Sequence, residues 1–379
     1  MSPFDRVDPD RLRSGFGVKW GSLPPDTLGA WVADMDFGIP PVVRDRMLEV
    51  IERGDLGYPF WTGEDPVVTA FQDRMATRFG WAPTEGRTRV FTDLIQILQV
   101  MIETTTEPGD GVAIHVPTYP PFLASIVRAG RRVVPIPMVD TGSRWGFDTS
   151  GLRDCRLLVL VNPHNPTGRV FTRAELEALA GAGDMVVLTD EIHADLTYPS
   201  FVHTPFASLG PDVARRTVTA TSATKAFNLA AMRCAVAHIG PDHLKAKLDA
   251  APLDIFGQPS ILGRVATVAA WREGDAWLAG LLNQLTGNRR MVTEWASGSF
   301  HPPEATYLAW LRLGVDAGTV ERRAKVKLSP GAEFSAPTEV NTQDFVRLNL
   351  ATSPDILREI LDRLQECLEW ADTSDLVTK

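Results

Sequence analysis

The sequence predicts an α/β fold with a mainly parallel sheet, and three observations carry that prediction. Residues 156–161 and 185–189 are apolar runs with only Arg156 and Thr189 at their ends polar, the pattern of strands covered on both faces. Helical periodicity separates successive strand candidates, as parallel crossovers require. Two of these strands end abruptly in polar clusters, one of them dense in Asn, Pro and Gly, at the edge where open α/β sheets bind ligands. At 379 residues the chain exceeds one ordinary domain. With no repeat or long linker to mark a boundary, we expect a large domain over 46–280 and a smaller α+β domain made from both chain ends, 1–45 and 281–379.

Hydrophobic content of 44% and charged content of 22% are those of a soluble globular protein. A net charge of −9 gives no reason to expect nucleic acid or an anionic membrane as a partner. Cys155, Cys234 and Cys367 lie far apart, without metal or redox spacing, and read as reduced buried thiols. The charged N-terminal stretch lacks the apolar core of a secretory leader, and no apolar run approaches the roughly 20 residues of a membrane span. A cytoplasmic protein is expected.

Taken in order, 1–30 reads as an irregular polar arm. WVADMDF at 31–37 is a short apolar piece broken by Asp34 and Asp36, whose expected role is to cap or turn the chain. Pro41 opens a helix over 42–53, the loop 54–60 carries Tyr58, and 65–80 is amphipathic. A strand at 89–92 runs directly into an apolar helix at 93–106, so free backbone N–H groups are presented where a phosphate could sit. Next come a strand at 112–116, PTYPPF at 117–122, a helix at 123–129 and a strand at 132–137. The strand 156–161 stops at NPHNPTG (162–168), a helix follows to 181, and the strand 185–189 closes on Asp190-Glu191-Ile192-His193. A β-branched run at 217–219 breaks into small hydroxyl residues and delivers Lys225. Beyond 241 the pattern is helical at 244–250, 263–272 and 276–295. Strands at 307–313 and 345–350 flank a loop near 328–333, and a closing amphipathic helix covers 355–368.

A lysine at the end of a buried strand is unusual, because an ammonium is costly to bury unless paired or neutral. Such an amine can form imines when its neutral form is accessible. With Asp190, Asn165 and Arg347 on separate elements, Lys225 completes a set suited to pyridoxal phosphate. The lysine meets the aldehyde, a carboxylate pairs with the pyridine nitrogen, and an amide bonds the ring oxygen. Ser222 and Arg233 are donors suited to the phosphate, and a further arginine suits a substrate carboxylate. Spacing alone leaves an exposed loop lysine and ordinary strand-end caps as alternatives.

NPHNPTG, DEIHADL, SATKAFNLAAMR and RLNLATS occur in an order and at distances that resemble fold-type I pyridoxal-phosphate enzymes, the class I/II aminotransferase superfamily. KW at 19–20, WVADMDF and PTYPPF are similar to its cystathionine β-lyase/maltose-regulon modulator branch of cysteine C–S lyases. The resemblance implies a seven-stranded, mainly parallel sheet between helices and a homodimer with shared active sites. Lys225 would be the Schiff-base lysine and proton acceptor, Asp190 the pyridinium partner, and Asn165 the donor to the ring oxygen. Tyr119 would stack on the ring, with His193 beside it. Ser222, Arg233 and the backbone of Leu94 and Ile95 would hold the phosphate, helped by Tyr58 of a second subunit. Arg347, with Asn165 and the backbone at Ala33, would bind the amino-acid substrate. No metal is implied.

Two departures from the family pattern stand out. Phosphate loops in this branch often contain a glycine, whereas TDLI at 92–95 puts Asp93 nearby, so its side chain is expected to turn away or cap the helix. Ala230-Ala231 replaces a common Ala-Gly pair. The implied reaction is α,β-elimination. An aminotransferase is the alternative on the same lysine, and a regulatory binding protein on the same fold is a third.

Overall fold

The computed structural model describes residues 3–152, 155–296 and 300–377. Its centre is a seven-stranded sheet in which Arg132–Pro137 at one edge is followed by Gly111–Val116, Cys155–Val161, Val186–Asp190, Thr217–Thr221, Ala235–Ile239 and Thr88–Phe91. Five neighbouring strands run parallel, while Ala235–Ile239 pairs antiparallel with both of its neighbours. The runs that read as double-covered strands are so: Val187 and residues 157–160 are no more than 1% exposed. The helices Leu94–Thr105, Pro120–Arg128 and Arg173–Gly181 are the crossovers that cover them.

Local signals account for most boundaries. Asp65 accepts from Val67 N and Gly80 closes the helix Pro66–Phe79 in the left-handed conformation. Thr172 and Glu175 form a reciprocal capping box at the start of Arg173–Gly181. The helix at 123–129 begins earlier than expected, at Pro120, because prolines in a first helical turn give up no intrahelical bond.

The N-terminal arm is a correction. It contains the helices Pro9–Arg13 and Val18–Gly21, and the strand Leu28–Gly29 pairs with Val326–Lys327, some 300 residues away in sequence. Neither acid of WVADMDF caps a helix. Asp36 is buried, accepts from Trp20 Nε1 at 2.7 Å and pairs with Lys19 at 2.9 Å. The strand Ala235–Ile239 and the helix Ala317–Ala324 carried too little pattern to be read beforehand. A strand of two alanines, a histidine and two β-branched residues, buried on both sides, has no alternation to betray it. A second, three-stranded antiparallel sheet places Phe345–Asn349 between Leu308–Arg312 and Ser329–Pro330. All three cysteines are buried, Cys234 and Cys367 as free thiols, and no helix among the described residues is long and apolar enough to cross a membrane.

One buried group makes folding sensitive to acid. His115, on Gly111–Val116, is fully buried against Phe147 and Phe171, with ring centroids 4.5 and 5.0 Å away, and neither ring nitrogen meets a partner among the described residues. Burial pushes its pKa down to about 3. The folded pKa lies below the unfolded value, so its contribution is complete above about pH 6.5 and is lost as pH falls towards 3. His115→Phe is therefore expected to raise Tm at pH 4.5 by a few degrees relative to its effect at pH 7.5, measured by differential scanning calorimetry. A pH-independent shift would refute this account.

Candidate active site

The sheet register lines up three strand ends. Val161 pairs with Asp190, and Asp190 with Ala220, so the segments that follow converge at the C-terminal edge. They line a cleft of about 790 Å³, open mouth included, with Asn165, Asp190, His193, Ser222 and Lys225 in its wall and Tyr119 on the neighbouring turn. The NPHNPTG loop is anchored so that Asn165 reaches this edge. Asn162 Oδ1 accepts from Phe171 N at 2.9 Å. Gly168 has φ +72°, and an added Cβ would fall 2.3 Å from Pro303, so only glycine fits there. The Gly168 carbonyl accepts from Glu304 N and Ala305 N, which ties the loop to the segment leading into Tyr307.

Lys225 lies half-buried on the cleft floor, with Nζ donating to Ala33 O at 2.8 Å. The same carbonyl accepts from Tyr307 OH at 2.8 Å. The strap carrying Ala33 is held along its length. Asn349 Nδ2 donates to Val32 O and Asp34 O, both at 2.6 Å, and Asn228 takes Met35 N while donating to Met35 O and Phe37 O. Lys19 reaches both Asp34 O and the Asp36 carboxylate. Tyr307, Lys19, Asn228 and Asn349 thus shape the site, although sequence reasoning gave them no part in it. Asn228 adopts a left-handed φ of 56°, a conformation asparagine tolerates better than most residues.

Arg347 is buried behind the strap. Nη1 donates to Asn165 Oδ1 at 3.1 Å, Nη2 to Trp31 O at 2.9 Å and Ser329 Oγ at 3.3 Å, and the guanidinium lies over Phe334. Nε is buried and meets no partner among the described residues, so a carboxylate oxygen would satisfy it. Burial holds its pKa down to about 10, so it remains a cation at neutral pH. Because a lysine cannot reproduce this planar fork, Arg347→Lys is expected to lower kcat/KM for an amino-acid substrate by about 10²-fold, chiefly through KM. Steady-state kinetics with unchanged KM would contradict a substrate-carboxylate role.

Electrostatics separate the titratable groups. Burial pushes the Asp190 carboxyl up to about 7, with the Glu191 charge adding to it and the bond from Ile192 N opposing it. Asp190 Oδ1 accepts from Ile192 N at 3.0 Å, and Oδ2 is left for a cationic partner in the cleft. Burial lowers the pKa of Lys225, opposed by Asp34 and assisted by Arg347. The neutral amine is thereby brought nearer to physiological pH. His193 is buried and held neutral, its pKa lowered to about 3 by burial, with Nδ1 unpartnered. Burial raises the pKa of Tyr119, which stays a phenol.

At the opposite end of the cleft begins the helix Leu94–Thr105. The N–H groups of Leu94 and Ile95 meet no acceptor among the described residues, whereas Asp93 Oδ1 takes Gln96 N at 3.0 Å. Arg233, in a left-handed backbone conformation at φ 49°, reaches this end, and Ser222 Oγ is 2.6 Å from Cys234 O. Asp93 caps the helix as expected but does not turn away, since its other oxygen pairs with Arg233. Ala230 borders the cleft from a short 3₁₀ turn, Ala230–Met232. Tyr58 is fully exposed on its loop and outside this cleft. The residues present fit pyridoxal phosphate: an unpaired carboxylate oxygen at one end, free helix N–H groups and a guanidinium at the other, and an amine between.

Known proteins resemble this chain over nearly its whole length. Over 382 residues the chain is 31% identical to cystathionine beta-lyase PatB of Bacillus subtilis, covering 95% of both chains. It is 30% identical to cystathionine beta-lyase of Corynebacterium glutamicum, over 95% of this chain and 98% of that one. Among solved structures, the PLP-bound C-S lyase from Staphylococcus hominis superposes with a TM-score of 0.87 at 25% identity, over 96% of this chain and 98% of that one. The sequence model of aminotransferase class I and II matches residues 32–364, from the strap through every strand end described above into the closing helix. The chain belongs to the class I and II aminotransferase family.

Proposed function

We propose that this chain is a pyridoxal-phosphate-dependent β-lyase of S-substituted cysteines such as cystathionine. The observation that carries the reading is the placement of the Lys225 amine on the Ala33 carbonyl, in one cleft with Asp190 and beside Arg347. Full-length similarity to cystathionine β-lyases at 30–31% identity supports elimination over transamination.

The overall reaction converts RS–CH₂–CH(NH₃⁺)–COO⁻ and water into RSH, pyruvate and ammonium. When bound, pyridoxal phosphate supplies an electron sink for the pair left by the Cα proton. The chain's residues do the rest. Arg347, pre-set by Asn165, Trp31 O and Ser329, binds the α-carboxylate and fixes which Cα bond faces Lys225. Lys225 would hold the cofactor through its amine, and its Nζ would accept the Cα proton. Tyr307 holds the Ala33 carbonyl where that amine rests between roles. Asp190 would keep a proton on the pyridine nitrogen, and Asn165 would donate to the ring oxygen. Tyr119 and His193 would line the ring, and Leu94 N, Ile95 N, Ser222 and Arg233 would hold the phosphate. Ser222 must turn its hydroxyl from Cys234 O to do so.

A homodimer follows the same reading. Tyr58 and Phe60 are 105% and 89% exposed on the loop 54–60, which suits delivery of Tyr58 to a second subunit's phosphate site. Cytoplasmic residence suits the buried free thiols of Cys234 and Cys367.

The test is incubation of the loaded protein with L-cystathionine alone. Release of pyruvate and a thiol in equal amounts, without a keto acid, is expected. Strict dependence on a keto acid, with no thiol released, would replace this reading by the aminotransferase one.

A further inference from the structure

The phosphate end of the cleft already contains an anion. Asp93 caps the helix Leu94–Thr105 through Oδ1, and its Oδ2 pairs with Arg233. Thr92 Oγ1 adds a third contact at 3.1 Å. The carboxylate therefore consumes one of the helix-start N–H groups and engages the guanidinium that would otherwise serve a phosphate. Leu94 N, Ile95 N and the Ser222 and Thr224 hydroxyls remain at this end of the cleft, with Ser222 turned onto Cys234 O.

We infer that Asp93 is an internal competitor of the cofactor's phosphate, a carboxylate that holds Arg233 in the unloaded protein and weakens phosphate binding. The inference rests on the cofactor reading above for its biological ligand, though not for its physics. A phosphate dianion entering this end must take Arg233 from Asp93 and then lie beside a like charge that cannot leave, because the cap fixes it. The fold retains Asp93 as a helix cap at the expense of cofactor affinity. The Arg233–Asp93 pair is largely exposed, with side chains 62% and 22% accessible, so it can open without unfolding its surroundings.

Asp93→Asn separates the two roles, because asparagine caps a helix as well as aspartate but carries no charge. Asp93→Glu keeps the charge. The full-length chain, stripped of cofactor, is titrated calorimetrically with inorganic phosphate, pyridoxal phosphate and pyridoxal. Asp93→Asn should lower Kd for inorganic phosphate and for pyridoxal phosphate by about fivefold to tenfold, the scale of one like charge near the surface. Pyridoxal should bind as in the unaltered chain, and Asp93→Glu should tighten nothing. Equal or weaker phosphate binding by Asp93→Asn would overturn the inference, as would equal tightening of pyridoxal. If neither protein takes up pyridoxal phosphate while inorganic phosphate still prefers Asp93→Asn, the competition stands and the cofactor reading falls.

Discussion

Lys225→Ala is expected to abolish pyruvate release from S-substituted cysteines, lowering kcat by at least about 10³-fold, because both the group that holds the cofactor and the proton acceptor are lost. The variant should still fold. Lys225 is half-buried and donates to Ala33 O, a carbonyl that keeps Tyr307 OH as a second donor. Pyridoxal phosphate should pass from tight retention through gel filtration to free exchange, since Asp190, Asn165 and the phosphate end remain. Two outcomes would sink the assignment: residual activity within tenfold of the unaltered protein, or unchanged cofactor retention.

Asp190→Asn is expected to have opposite effects on activity and stability. Activity of the loaded protein should fall on the order of 10³-fold, because the amide cannot stabilise a proton on the pyridine nitrogen. Without cofactor, the same change should stabilise the chain. Asp190 has its folded pKa raised to about 7 from 3.8, mainly by burial. The folded state thus retains a proton that the unfolded state releases, and stability declines as pH rises from about 4 to 7. Asparagine keeps the acceptor for Ile192 N and has no charge to bury. The Tm of the unloaded variant should match the parent near pH 4 and exceed it by several degrees at pH 8, a gap that cofactor loading should close. A variant less stable than the parent at pH 8 would show that the carboxylate is structurally required. Such an exchange of stability for function is common at active sites.

The most legible part of the site was its strand-end chemistry. Asn165, Asp190 and Lys225 each follow an apolar run, and burial makes a polar residue there conspicuous. Arg347 within an apolar strand is conspicuous for the same reason. Asp93 was legible in identity but not in orientation. The sequence allowed it to cap or to turn away, whereas the chain brings Arg233, 140 residues later, against its free oxygen. Tyr307 was read only as the start of a strand. Its hydroxyl and the Lys225 amine meet on one carbonyl from 274 and 192 residues away, a convergence no local pattern encodes. The N-terminal arm misled for a related reason. It is polar and rich in turns, yet Lys19, Trp20 and Asp36 form a buried cluster that braces the strap.

By itself, the sequence determined the layered α/β architecture, the order of its crossovers and the residue types gathered at the sheet's C-terminal edge. Hydrophobic periodicity and capping act within one or two turns of chain, so they can be read locally. Only the tertiary structure decided which carbonyl holds Lys225, how Arg347 is aimed and that Asp93 occupies Arg233. Those outcomes are pairings between charged or polar groups far apart in sequence. Their partners are selected by burial, which leaves each such group only the neighbours that the packed fold supplies.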